Sequence, residues 1–266
     1  MCKQPIGVFD SGIGGLTILR ALRSILPHER FIYFGDTANV PYGGKSKAAV
    51  TRLSVAVARF LEKQQVKLIV VACNTASAQA LPTLSKQLGV PVMGVIVPGA
   101  QAAVTATRKG RIAVLGTQGT VESKAYVKAL RKLNKNLYIF QQACPLFVPL
   151  AEEGFADKPA AELIAREYLS SLQKNKVDTV ILGCTHYPIL KKLIARILGS
   201  HIALVDSADT LAMAVKDFLT KHQLAAQTGR GTLKLYASDD PQKFTRAAHK
   251  LLGENVGHAY LKKLNI

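Results

Sequence analysis

Short apolar runs, each ending in glycine or a small polar residue and each followed by a helical stretch, recur along this chain. Ile6-Gly7-Val8-Phe9 stops at Asp10-Ser11-Gly12, and Leu16 to Leu26 then places Leu16, Leu19, Leu22 and Leu26 on one helical face, closed by Pro27. Phe31 to Phe34 ends in Gly35-Asp36, and Ser46 is placed to cap a helix running to about Gln64. Leu68 to Ala72 is continuously apolar, as a strand buried on both faces must be. The helix after it is bent or shortened at Pro82. Strands alternating with helices of this length predict parallel sheets covered by helices, an α/β fold.

The layout then repeats. Ile112 to Leu115 stops at Gly116-Thr117, Leu137 to Phe140 leads to Cys144-Pro145, and Asp178 to Leu182 ends in Gly183-Cys184-Thr185. Corresponding strand ends stand 107, 106 and 111 residues apart (Asp10 to Thr117, Gly35 to Gln141, Cys73 to Cys184). The recurrence predicts two similar domains, each a mostly parallel sheet flanked by helices, with the active site in the cleft between them. Helices at Ser207–His222 and Pro241–Leu252 and a strand at Leu233–Tyr236 form a tail expected to return to the first half. The expected division is 1–97 plus 209–266 against 98–208, with a hinge at Val97-Pro98-Gly99 marked by proline and glycine.

A content of 48 % hydrophobic residues is enough for a core, and no apolar run is long enough to span a bilayer. The first residues do not read as a secretion signal, so a cytoplasmic protein is expected. The four cysteines, Cys2, Cys73, Cys144 and Cys184, form no Cys-x-x-Cys pair and suggest neither a metal site nor a disulfide framework. The net charge of +18 arises from 35 basic and 17 acidic residues spread along the chain. It reads as surface charge that draws in anionic substrates; nucleic-acid binding is the alternative.

Ligands of open parallel sheets bind at the carboxyl ends of the strands. There the chain carries Asp10-Ser11, Asp36, Cys73-Asn74-Thr75, Thr117 and Cys184-Thr185-His186. A cysteine at the end of an apolar strand is ordinarily an inert buried thiol. Two at matched positions, each followed by threonine-bearing polar residues, point instead to a pair of acid/base groups on opposite walls. Such a pair suits inversion of a carbon centre, with a thiolate removing a proton from one face and a thiol returning one to the other. Both cysteines precede helix-like segments whose positive ends favour thiolate. Asn74, Thr75 and Thr185 supply donors for a carboxylate. Asp10 is suited to a substrate amino group and to tuning Cys73, and His186, helped by Glu152, to tuning Cys184. Cys2 and Cys144 are read as structural. Asp10-Ser11-Gly12-Ile13-Gly14-Gly15 imitates a dinucleotide-binding turn, but no third glycine or alanine follows at the required place and Asp10 would repel a pyrophosphate.

At these residues the chain resembles the cofactor-independent aspartate/glutamate racemase superfamily. The likeness is carried by Gly7 to Leu16, Phe34-Gly35-Asp36-Thr37, Val40-Pro41-Tyr42-Gly43, Ala72 to Ala76, Cys144 to Leu150 with Glu152-Glu153-Gly154, Leu182 to Pro188, and Asp206-Ser207-Ala208. The resemblance implies interconversion of L- and D-glutamate without pyridoxal phosphate or metal, for peptidoglycan synthesis. It implies Cys73 and Cys184 as the two acid/base residues, with Asp10, Glu152 and His186 in support. Substrate contacts would come from Asp10, Ser11, Pro41, Tyr42, Gly43, Asn74, Thr75, Thr117, Thr185 and His186, and the active form would be a homodimer. Racemisation of aspartate or another small amino acid is the alternative chemistry, and a second, DNA-related role the alternative from another class. Asn39 and Val97 depart from the family pattern, which leaves the reaction in place but puts regulation and dimer geometry in question.

Overall fold

The computed structural model describes residues 3–253 and 256–264; Cys2 lies outside them. The strands are β1 (Ile6–Asp10), β2 (Phe31–Gly35), β3 (Leu68–Val71), β4 (Val92–Gly94), β5 (Arg111–Gly116), β6 (Tyr138–Ala143), β7 (Thr179–Gly183), β8 (Ala203–Val205), β9 (Leu233–Ala237) and β10 (Ala259–Leu261). The helices are α1 (Leu16–Ile25), α2 (Lys47–Lys63), α3 (Asn74–Gln79), α4 (Leu81–Gln87), α5 (Ile96–Ala106), α6 (Gln118–Glu122), α7 (Ala125–Leu133), α8 (Phe147–Glu152), α9 (Pro159–Lys174), α10 (Lys191–Leu198), α11 (Ala208–Lys221) and α12 (Pro241–Leu252).

Two sheets form, ordered β10-β9-β2-β1-β3-β4 and β6-β5-β7-β8, and every pairing is parallel. The order β2-β1-β3-β4 in one equals β6-β5-β7-β8 in the other, so the recurrence in the sequence is a recurrence of topology. The tail strands β9 and β10 extend the first sheet beyond β2.

Parallel strands need helices on both faces, and alternate side chains go to different layers. Ile6 and Val8 of β1 join one apolar cluster while Phe9 joins another under α2. Ile112 and Val114 of β5 join that same first cluster, and Ala113 and Leu115 pack under α8 to α10. The first cluster also contains Leu19 of α1, Ala100 of α5 and Leu211 of α11, so a shared helical layer sits between the sheets.

Local chemistry departs from expectation at two points. Val97-Pro98-Gly99 is the first turn of α5 and not a loop. Proline is tolerated there because first-turn N–H groups have no intrahelical acceptor. After Cys184 the chain forms a short 3-10 turn, Tyr187–Leu190, in place of the expected helix start, so the dipole argument applies to Cys73 alone. The break expected near Pro82 separates α3 from α4. Among the described residues no helix is long and apolar enough to cross a membrane.

Candidate active site

Phe9 pairs with Val71 and Leu115 with Leu182, and each cysteine stands two residues beyond the partner of a central strand. Both sulfurs therefore leave equivalent strand ends, and Cys73 and Cys184 line one cavity. Ser11, Tyr42 and Asn74 line it from the first half, and Thr117, Thr185 and His186 from the second. Pro41, Gly43 and Thr75 complete the wall, together with Val148, which sequence reasoning missed because it is an apolar residue in the first turn of α8 and carries no polar signal. The walls are close: a water-sized sphere finds only about 10 Å³ between them.

The two sulfurs have different surroundings. Cys73 caps α3, accepting from Ala76 N–H at 3.5 Å, and its Sγ lies 3.9 Å from Ser11 Oγ. Burial and the charge of Asp10 outweigh those hydrogen bonds and push the Cys73 thiol up to about 12. Cys184 Sγ lies 3.8 Å from His186 Nδ1. On the far side of the ring, His186 Nε2 is 2.9 Å from Glu152 Oε1, close as an ion pair but not aligned as a hydrogen bond. Burial lowers the proton affinity of His186, but its contacts with Cys184 and Glu152 outweigh burial, and its pKa rises to about 10. One sulfur thus lies in the field of Asp10 and the other beside an imidazole whose proton affinity is raised.

Asp10 and Glu152 stand behind the cavity wall, outside the lining. Asp10 is fully buried; its carboxylate accepts from Gly12 N–H at 2.9 Å and from Thr185 Oγ1 at 3.3 Å. Asp36 is set back as well, accepting from Tyr42 Oη at 2.6 Å and Ser238 Oγ at 2.7 Å, so it fixes the turn that carries Tyr42. Cys144 is buried away from the lining, and desolvation pushes its thiol up.

Hydrogen bonds stitch the walls together. Thr75 Oγ1 and Thr117 Oγ1 are 2.9 Å apart, and Thr117 reaches Thr120 Oγ1 at 3.0 Å. Gly119 N–H donates to Gly43 O at 2.9 Å, and its own carbonyl accepts from Gln79 Nε2 at 3.0 Å. Tyr126 of α7 accepts from Asn74 Nδ2 at 2.8 Å; neither it nor Thr120 of α6 is readable as a site residue, since each lies within a helix and not at a strand end. The result is a buried set of hydroxyl, amide and N–H groups around two thiols, an arrangement able to donate hydrogen bonds to a carboxylate. Among the described residues no group of three or more His, Cys, Asp or Glu side chains converges as metal ligands would.

Known proteins resemble this chain over nearly its whole length. A glutamate racemase of Geobacter metallireducens is 50 % identical over 258 residues, 97 % of this chain and 96 % of that protein. The crystal structure of glutamate racemase from Thermus thermophilus in complex with beta-chloro-D-alanine superposes with a TM-score of 0.88 at 48 % identity, covering 98 % of this chain and 97 % of that one. The structure of glutamate racemase from Francisella tularensis in complex with D-glutamate gives 0.92 at 38 % identity, covering 98 % of both chains. Residues 16–215 match the Asp/Glu/Hydantoin racemase family, and the chain belongs to that family.

Proposed function

We propose that this chain interconverts L- and D-glutamate, with Cys73 and Cys184 as the two proton-transfer residues. The reading carries with it a homodimer in the cytoplasm that supplies D-glutamate to peptidoglycan. The observation that carries the mechanism is that two thiols from equivalent strand ends line one cavity.

The α-proton of an amino acid is weakly acidic, so its removal needs a base on one face and stabilisation of the enediolate. One cysteine, as thiolate, takes the proton and becomes a thiol. The electron pair left on Cα moves into the carboxylate, held by Asn74, Thr75, Thr117 and Thr185. The opposite cysteine then gives its proton to the other face of Cα and is left as thiolate. The product has inverted configuration, and the two sulfurs have exchanged protonation states. The reverse reaction uses the same residues in the opposite order.

The differing surroundings suit this division. Desolvation and Asp10 hold Cys73 as the proton carrier, and a substrate ammonium would offset the carboxylate when that sulfur must ionise. The His186 imidazolium supports negative charge on Cys184. The walls must part to admit glutamate, since the space between them, about 10 Å³ to a water-sized sphere, holds at most one water.

The test is incubation with L-glutamate in deuterated water without added cofactor. The expected product is D-glutamate carrying deuterium at Cα, lost in both Cys73→Ala and Cys184→Ala. Turnover of aspartate in place of glutamate overturns the substrate. Full racemisation by either variant overturns the two-cysteine assignment.

A further inference from the structure

A cavity far larger than the one between the cysteines is present elsewhere among the described residues. It lies on the outer face of α2, against the residues that follow β10, and gives a water-sized sphere about 500 Å³. One face of α2 is core: Val50, Leu53, Val57, Ala58 and Leu61 are buried. The cavity is lined by the other, with Arg52, Val55, Ala56, Arg59, Phe60 and Lys63 at the i, i+3, i+4, i+7, i+8 and i+11 positions of one stripe. Lys262 and Lys263 close it from the opposite side.

Five cations therefore converge on one concavity, and among the described residues no carboxylate side chain lines it. Among the described residues none of the five is ion-paired. Lys263 and Leu264 also border a second cavity that contains Asp36 and Asp239. The floor is aromatic: Lys262 Nζ lies 5.7 Å over the Phe60 ring, which packs against Phe34 at 5.3 Å and Tyr236 at 5.1 Å. Like charges one and two turns apart on a helix repel each other, and a multivalent anion relieves that repulsion.

We propose that this cavity binds a small molecule carrying two or three linked phosphates. The phosphates would lie among Arg59, Lys63, Lys262 and Lys263, and the less polar remainder against Val55, Phe60 and Leu264. Cations arriving from two separate elements match a compact multivalent anion better than a single carboxylate. The volume lies within the roughly 300–1,000 Å³ typical of small-molecule sites. A nucleic-acid strand would need an extended groove with several stacking aromatics, and this lining has one.

Calorimetric titration of the full chain with inorganic tripolyphosphate, and separately with ADP, at physiological ionic strength and in EDTA tests the proposal. Saturable one-to-one binding is expected for both probes. Arg59→Gln with Lys63→Gln should weaken it about tenfold or more by removing two charge-assisted contacts, with racemase turnover unchanged. Lys132→Gln with Lys135→Gln, which removes two exposed charges elsewhere, should leave binding unchanged. Equal weakening by both double variants would reduce the effect to general surface charge and overturn the site. Failure of both probes to saturate, while duplex DNA binds with a steep salt dependence, would overturn it in favour of a nucleic-acid face.

Discussion

Asn74 Nδ2 donates to Tyr126 Oη at 2.8 Å, so the residue beside Cys73 is held by a helix of the opposite half. Tyr126 Oη also lies 3.4 Å from Ser207 Oγ, and Tyr126 is fully buried. Tyr126→Phe would keep the packing and leave the Asn74 amide without that acceptor. A buried donor without a partner costs about 1–3 kcal/mol. The expected result is a loss of that order in urea unfolding, with kcat falling more than KM rises because Asn74 no longer holds the developing carboxylate charge. Unchanged kinetics in the variant would show that Asn74 is fixed by other contacts.

The His186–Glu152 contact predicts a pH dependence. The pKa of His186 is raised to about 10 from an ordinary 6.5, so the folded state holds a proton that the unfolded chain releases earlier. Stability from this group is fully present below pH 6.5 and is lost as pH rises through about 10. The Cys73 thiol, raised in the folded state, acts in the same direction. The difference between wild type and His186→Asn isolates the histidine: it should be largest near pH 6 and shrink towards pH 10. Glu152→Gln removes the carboxylate 2.9 Å from Nε2. Its racemase activity should therefore decline on the alkaline side at a lower pH than in wild type. Coincident pH–rate profiles would remove Glu152 from any role in tuning His186.

How far these features could be read from sequence depends on their range. Strand ends are local: an apolar run that stops at Cys73-Asn74-Thr75 or Cys184-Thr185-His186 announces a sheet edge and its polar groups together. The shared topology could be read because the same run recurs at a near-constant offset. Three-residue strands such as β4, β8 and β10 are too short to show a period. Pro98-Gly99 punctuates a loop and a helical first turn alike, and only the structure separates them. Tyr126 and Thr120 join the site through hydrogen bonds to Asn74 and Thr75 of the other half, and Val148 by lining the cavity, and no local pattern encodes either.

Gly14 shows how tightly the halves meet. A Cβ at this position would run into Thr185 Oγ1 and come within 2.8 Å of His186 Nδ1. Those atoms are the ends of two side chains on the cavity wall, so Gly14→Ala should displace them before it disturbs either sheet. The expected stability loss is about 1–3 kcal/mol, the usual cost of overpacking. The loss of kcat/KM should exceed what that destabilisation accounts for at temperatures where the variant is fully folded. An alanine variant with normal kinetics would mean that the Thr185-His186 segment can move without consequence.

At the opposite ends of the strands, Lys67 and Glu29 form an ion pair at 2.6 Å with side chains 1 % and 2 % exposed. Lys67 Nζ also donates to Leu224 O at 2.6 Å, and Glu29 Oε1 accepts from Ala226 N–H at 2.8 Å. The pair thereby ties the segment leading into β9 to the start of the sheet. Removing one partner leaves a desolvated charge without its counter-ion, which costs about 3–5 kcal/mol. Lys67→Met should reach that range in chemical unfolding. Lys67→Met with Glu29→Leu, which leaves no orphan charge, should cost clearly less than the sum of the two single changes, because apolar replacements of a buried pair are often tolerated. Both sets should keep racemase activity where they remain folded, since neither residue borders the cavity between the cysteines. Additive single and double costs would mean that the two charges are solvated independently and that the segment before β9 is held by its backbone hydrogen bonds alone.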